Sequence, residues 1–206
     1  MATLLTLSPL FERLAAISQN GLAYARDPYD RGRYEELRAV AAELLEALGA
    51  DPGAFERLYS NDVGYRTPKL SVRAFAVREG SVLLVRERSD GKWSLPGGWA
   101  DIGESPAECV VKEVLEESGY RAVAVGLLAL LDHRKHGHPS FPWHTYDAIF
   151  HCRVEGEPVL ATLETDGVGF FPLDALPPLS TPRVTERQLR SFHERVQRGE
   201  TAAIFD

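Results

Sequence analysis

The sequence has few of the features that mark secreted, membrane-spanning or disulfide-stabilised proteins. Its 206 residues include two cysteines, Cys109 and Cys152, which lie too far apart for a common zinc motif and are expected to be reduced core thiols. The longest apolar run, residues 122–131, has about half the length that crosses a bilayer. The apolar N-terminus lacks a basic segment, so we expect no signal peptide and a cytoplasmic location.

Basic residues are also scarce. Lysine and arginine number 23 against 30 aspartates and glutamates, which gives a net charge of −7. Surfaces that bind nucleic acid or anionic membranes are normally rich in basic residues, so neither partner is expected. A small anionic substrate would therefore need a metal ion or a local basic patch. The length allows one catalytic domain and a smaller appendage.

The hydrophobic pattern divides the chain near residue 67. Residues 1–66 carry apolar residues at helical spacing and predict three helices, over residues 9–20, 33–48 and 52–59. We expect Gly21 to end the first helix and Asp51 to cap the third. Three short helices bury little apolar surface alone, so this domain is expected to pack on the second domain or on another subunit.

From residue 67 to residue 206, strands alternate with helices, which predicts an α/β or α+β catalytic domain. The first two strands, over residues 69–78 and 81–88, are expected to form a hairpin that turns at Glu79 and Gly80. Further strands are predicted over residues 122–131, 146–154 and 168–171, and a last helix over residues 185–197.

The clearest local signal is a helix between the hairpin and the third long strand. Ser105, Pro106 and Glu108 have the spacing of a capping box, and Gly119 is a natural C-terminal stop. The apolar residues share one face of this helix. The sequence therefore fixes both ends of the helix and the side that should face the core.

Three glutamates, Glu113, Glu116 and Glu117, lie together on roughly the opposite side of this helix. Such neighbours repel each other by a few tenths of a kcal/mol per pair in water. A divalent cation reverses that repulsion, because carboxylate oxygens suit Mg²⁺ or Mn²⁺. Three glutamates alone more often form a solvated acidic face, so their surroundings decide between the two interpretations.

Those surroundings resemble the Nudix box, G-x5-E-x7-R-E-U-x-E-E-x-G-U, where U is apolar. Six identities match in type and spacing: Gly98, Glu104, Glu113, Glu116, Glu117 and Gly119. A chance match has a probability of roughly one in 10⁷ per window, since each residue type makes up about 7% of proteins. Lys112 stands where the pattern has arginine, and Tyr120 stands at the final apolar position. Lysine lacks the planar fork of arginine, which predicts a looser orientation of the carboxylates.

The resemblance implies an α/β/α sandwich with a mixed sheet, and metal-dependent hydrolysis of a nucleoside diphosphate linked to another group. It implies Mg²⁺ or Mn²⁺ as cofactor, held by Glu113, Glu116 and Glu117 and by the carbonyl of Gly97. Glu104 is expected to assist, and Glu113 is the favoured base or ligand. Glu164 is a second candidate base, or else an ordinary loop glutamate.

Residues 20–30 and 33–37 resemble the helical extension of a Nudix subgroup that acts on X-linked nucleoside diphosphates. That subgroup includes CDP-choline and ADP-ribose pyrophosphatases. By analogy the extension would form a homodimer and help to frame the substrate site. The simpler alternative is a helical cap that only stabilises the protein.

One basic stretch, residues 132–139, offers candidate substrate contacts. They are Arg134, Lys135 and His136, with Arg183 a weaker candidate from the C-terminal part of the chain; a solvated loop is the alternative. The histidine spacing in this stretch matches no common zinc pattern, so zinc is not expected.

Two other functions stay open at this point. The Lys112 departure allows a catalytically weak nucleotide-sensing protein. An RNA or oligonucleotide hydrolase is disfavoured by the negative charge.

Overall fold

The computed structural model describes residues 4–60, 64–158 and 165–206 and divides the chain into two units. One unit comprises Met1–Lys69 together with Ser140–His144, and the other comprises Leu70–Pro139 and Thr145–Asp206. Within the described ranges, no helix has the length and apolar character needed to cross a membrane.

The first unit contains the three predicted helices, with different ends. They are α1 (Leu4–Tyr24), α2 (Pro28–Ala47) and α3 (Ala54–Tyr59). All three contribute buried side chains to one apolar cluster, among them Phe11, Ala41 and Phe55.

The prediction that Gly21 ends α1 is wrong. The helix continues to Tyr24, and a Cβ on Gly21 would lie 2.3 Å from Cδ1 of Tyr34 on α2. This glycine therefore serves close packing between two helices and not a C-terminal stop. The predicted start of α3 is also wrong, since Gly53, at φ 73°, occupies the cap position instead of Asp51.

A short segment from the second half of the sequence completes the first unit. Trp143 Nε1 donates a hydrogen bond to the carbonyl of Leu58 at 2.9 Å, and the N–H of His144 donates to Oε1 of Glu12 at 2.5 Å. These bonds explain why residues 140–144 group with the helices although they lie far along the chain.

Among its described residues, the second unit has a seven-stranded sheet in the order β3-β2-β1-β5-β4-β7, with β6 paired to β2. The strands are β1 (Lys69–Arg78), β2 (Ser81–Glu87), β3 (Trp93–Ser94), β4 (Arg121–Asp132), β5 (Thr145–Glu155), β6 (Thr165–Pro172) and β7 (Ile204–Phe205). The sheet is mixed, because β7 runs parallel to β4 whereas β4 and β5 are antiparallel. The predicted hairpin is present: Glu79 and Gly80 have φ values of 49° and 77°.

Two helices cover opposite faces of this sheet. Helix α4 (Pro106–Ser118) packs Val110 and Val114 against one face, where β1 contributes Val72 and Ala74. Helix α5 (Glu186–Gln197) packs Leu189 and Phe192 against the other face, where β1 contributes Phe75. Because successive side chains of a strand point to opposite faces of the sheet, neighbouring residues of β1 pack against different helices. The predicted α/β/α sandwich is confirmed.

Candidate active site

Helix α4 has the ends that its sequence predicts. The hydroxyl of Ser105 accepts a hydrogen bond from the N–H of Glu108, whose carboxylate accepts one from the N–H of Ser105 in return. Gly119 ends the helix in the left-handed conformation at φ 74°. A helix fixed at both ends holds its side chains at a constant angle to the neighbouring sheet.

The three glutamates of α4 are in different environments. Glu116 is exposed, Glu113 is half-buried, and Glu117 is only 8% exposed. Placing all three opposite the apolar face was therefore too simple, because Glu117 lies beside buried Val114. Its Oε2 accepts a hydrogen bond of 2.7 Å from the N–H of Gly97.

The segment from Pro96 to Ala100 runs along β1 and presents backbone to these glutamates. The N–H of Val72 donates to the carbonyl of Gly98 at 2.9 Å, which fixes the segment against the sheet. At φ 146°, Gly97 leaves so little room that a Cβ would lie 2.0 Å from the carbonyl oxygen of Val72. A Cβ on Gly98 would lie 2.4 Å from Oε1 of Glu113. Gly97 therefore lets the loop pack closely on β1, and Gly98 lets the Glu113 carboxylate approach the main chain.

Arg73 of β1 organises the same loop from the other side. Its Nη1 donates to the carbonyl oxygens of Gly97 at 2.6 Å and of Leu95 at 3.1 Å. The sequence analysis did not single out this residue. The signal was available, because an arginine between buried Val72 and Ala74 needs polar partners nearby.

Burial raises the pKa of the Glu117 carboxyl to about 7 from an ordinary 4.5. The positive charge of Arg73 and the hydrogen bond from Gly97 lower this pKa, while the negative charges of Glu113 and Glu87 raise it further. Loss of hydration and crowding with like charges thus outweigh the nearby guanidinium. A buried, crowded carboxylate of this kind is a common sign of a functional site.

Lys112, which lacks the fork of arginine, pairs with two carboxylates. Its Nζ lies 2.8 Å from Oε2 of Glu104 and 2.6 Å from Oδ2 of Asp101. Those hydrogen bonds raise the pKa of Lys112. The Sγ of Cys109 donates to the same oxygen of Glu104 at 3.4 Å. Lys112 therefore positions Glu104, which is one of the six residues that match the box pattern.

The weaker candidates are on other elements than α4. Arg134 is exposed, and Lys135 lines a cavity of about 270 Å³ beside Asp206. His136 Nε2 lies 3.1 Å from Oδ2 of Asp206. Glu164 lies outside the described residues.

Arg183 is engaged in an ion-pair network. Its Nε lies 3.1 Å from Oε1 of Glu87, and its Nη1 lies 3.7 Å from Oδ2 of Asp90. Ser180 and Ser89 accept further hydrogen bonds from its guanidinium. These contacts hold the guanidinium in place, and a substrate contact by Arg183 stays a prediction.

With this geometry in place, comparison with known proteins identifies the family. Residues 67–193, more than half of the chain, match the family described as the NUDIX domain. The chain belongs to the Nudix hydrolases. Residues 6–54 of this Nudix hydrolase match a second family, described as a UDP-X-like, N-terminal oligomerisation domain.

Relatives of this Nudix hydrolase share both its sequence and its fold. The Bacillus subtilis protein YjhB, whose name gives it as a candidate ADP-ribose pyrophosphatase, is 44% identical over 95% of this chain and 94% of its own. The crystal structure of an ADP-ribose pyrophosphatase from Streptococcus suis is 40% identical, with a TM-score of 0.62, and covers 68% of this chain and 100% of its own. The crystal structure of a UDP-X diphosphatase is 30% identical, with a TM-score of 0.61, and covers 100% of both chains.

Proposed function

We propose that this Nudix hydrolase is a divalent-cation-dependent pyrophosphohydrolase. It would cleave a nucleoside diphosphate linked to a further group into a nucleoside monophosphate and a phosphorylated product. The observation that carries the proposal is that two carboxylates lie against the same backbone loop. Glu117 accepts a hydrogen bond from Gly97, and Glu113 occupies the space that a side chain on Gly98 would need.

The donor set fits a hard divalent cation such as Mg²⁺ or Mn²⁺. Glu113, Glu116 and Glu117 offer carboxylate oxygens, and Gly97 offers a carbonyl oxygen. The pKa of about 7 on Glu117 reflects burial and crowding that a bound cation would offset. When bound, the cation would neutralise the diphosphate and activate water for attack on phosphorus.

The other groups of the site would hold this arrangement rigid. Arg73 fixes the carbonyl of Gly97, and the N–H of Gly97 orients Glu117. Glu113 is the proposed general base, and Glu104, held by Lys112, is proposed to assist. Glu164 stays the second candidate base.

For the substrate we propose a nucleoside diphosphate sugar, with ADP-ribose first. The support is that two similar proteins carry ADP-ribose pyrophosphatase names and a third is a UDP-X diphosphatase. CDP-choline belongs to the same chemical class, a nucleoside diphosphate with a further group on the second phosphate, and is the alternative. Exposed Arg134 and neighbouring Lys135 are the proposed contacts to the anionic substrate, with His136 beside them.

We further propose that the protein is a homodimer that acts in the cytoplasm. The description of the matching N-terminal family as an oligomerisation domain supports assembly. Two buried cysteines present as free thiols are consistent with a reducing compartment.

The test is turnover of ADP-ribose, UDP-linked sugars, CDP-choline, NADH and nucleoside triphosphates, each with Mg²⁺, with Mn²⁺ and with a chelator. A phosphatase, added with fresh Mg²⁺ after the enzyme has been removed, releases phosphate from the products of the diphosphate-linked substrates. Triphosphate turnover is measured separately by chromatography of the products, because a phosphatase would attack the triphosphates themselves. We expect turnover of one or more diphosphate-linked substrates, and loss of turnover in chelator and in Glu117→Gln. Glu194→Gln, an exposed glutamate of α5, is the matched control and should keep full activity. Equal activity in Glu117→Gln, or turnover of triphosphates alone, would overturn the proposal.

A further inference from the structure

The loop that follows β4 brings two histidines onto an aspartate of β5. His133 opens a short 3₁₀ turn (His133–Lys135), and Gly137, at φ 78°, turns the chain back. As a result the ring of His138 stacks on the ring of His133, with centroids 4.1 Å apart and planes 12° apart. Asp147, on β5, offers Oδ2 at 2.8 Å from Nδ1 of His133.

These three side chains each offer a metal-ligand atom, and the three atoms lie within 4.8 Å of one another. The expectation from sequence was no zinc, because the histidine spacing alone matches no common pattern. That argument considered only the histidines and did not include Asp147, which lies on β5 and not in the loop. His133 and Asp147 are buried, and His138 is half-buried.

Hydrogen bonding shows which atom of His138 is available. Its Nδ1 lies 2.7 Å from the carbonyl oxygen of Thr181, which can only accept, so Nδ1 donates. The lone pair of the neutral ring is then on Nε2. This buried atom has no hydrogen-bond partner among the residues that the structure describes.

Asp147 provides the negative charge of the cluster. Its two carboxylate oxygens accept hydrogen bonds from Ser71 and His133. Metal-binding histidines usually donate their second ring N–H to a carboxylate or a backbone carbonyl. His138 has such a partner in the carbonyl of Thr181, whereas Asp147, at 2.8 Å from Nδ1 of His133, is itself a candidate ligand.

We propose that His133, His138 and Asp147 form a second cation site, separate from the glutamates of α4, that binds a transition metal of the zinc class. Two imidazoles and one carboxylate suit Zn²⁺ or Co²⁺, whereas the oxygen donors of α4 suit Mg²⁺ and Mn²⁺. A metal here would fasten the loop of residues 133–138 to β5. The site is defined by metal affinity and does not depend on which substrate the enzyme hydrolyses.

The test is equilibrium dialysis of the full-length protein against Zn²⁺ in excess Mg²⁺, which occupies the oxygen sites. We expect tight zinc binding by the unsubstituted protein, and binding at least about tenfold weaker in His138→Ala. His151→Ala, which removes a histidine of β5 outside the cluster, should keep the zinc. Glu117→Gln should keep it as well.

Two outcomes would overturn the site. One is unchanged zinc binding in His138→Ala, and the other is loss of zinc in Glu117→Gln, which would assign the metal to α4. Cobalt gives a second measurement on the unsubstituted protein, because nitrogen ligands and low coordination number strengthen its visible absorption relative to octahedral oxygen coordination. A cobalt spectrum typical of oxygen ligands alone would also refute the proposal. His138→Gln, which keeps the side chain's bulk, replaces the alanine variant if that variant fails to fold.

Discussion

Alanine at position 98 should damage the active site while leaving the fold intact. Gly98 does not have a positive φ, so its backbone conformation is open to alanine. The new Cβ would lie 2.4 Å from Oε1 of Glu113, against an ordinary contact of 3.4 Å or more. The Glu113 carboxylate is the end of a flexible side chain, so it can retreat by about 1 Å without moving the sheet or α4.

A displacement of that size is expected to matter for catalysis. Misplacing a catalytic group by about 1 Å can cost roughly 100-fold in rate, which corresponds to about 2.7 kcal/mol of transition-state stabilisation. We therefore expect kcat/KM for the best substrate to fall about 100-fold in Gly98→Ala. The melting temperature in chelator should stay near that of the unsubstituted protein.

The matched control is Gly126→Ala on β4, where a Cβ would meet no atom within 4 Å and φ is not positive. A second control repeats Gly98→Ala in a Glu113→Gln background, where the side chain keeps its size but has lost its charge. If the substitution acts through Glu113, it should cost little further activity there, because the two effects share one cause. Unchanged activity in Gly98→Ala, or an additive loss in the double variant, would refute this reasoning.

In chelator, Glu117→Gln should be more stable than the unsubstituted protein by roughly 3 kcal/mol at pH 8, and the two should converge below about pH 4. The reason is that the folded state binds the proton of Glu117 more tightly than the unfolded state, so stability is lost as pH rises from 4.5 through about 7. Urea unfolding measures this, and a difference in unfolding free energy that is independent of pH would contradict it. Gly21→Ala should lower stability by about 1–3 kcal/mol, because its Cβ would meet the ring of Tyr34. Gly32→Ala, in open space on α2, should instead raise stability by about 0.5–1 kcal/mol. If thermal unfolding shows that the melting temperatures of both variants shift in the same direction, this explanation of Gly21 is refuted.

The ends of α4 could be predicted from sequence because the signals that set them act between residues within one helical turn of each other. The reciprocal bonds of Ser105 and Glu108 need only a three-residue spacing, and Gly119 ends the helix by its own backbone freedom. The same logic failed at Gly21, where the reason for glycine lies on another helix. A glycine that ends a helix and one that admits a neighbouring ring look alike in sequence.

Each of the two proposed sites depends on a contact that no spacing rule reveals. Arg73 supports Gly97 across 24 residues, and the pairing of Ser71 with Asp147 spans 76. The box pattern identified Glu117 as a candidate ligand, but its deep burial follows from its angle on α4 relative to the sheet. Sequence thus singled out the glutamates as candidates, and the folded structure was needed for the groups that orient them.

The inclusion of residues 140–144 in the N-terminal unit limits how this protein can be cut or recombined. The chain leaves the helical unit near Lys69, returns to it at Ser140 and leaves it again after His144. A truncation at a single point therefore cannot yield two complete parts, because the helices would lose the partners that Trp143 and His144 supply. Exchange of the extension between homologues, whether by recombination or by engineering, would have to carry this pentapeptide with it.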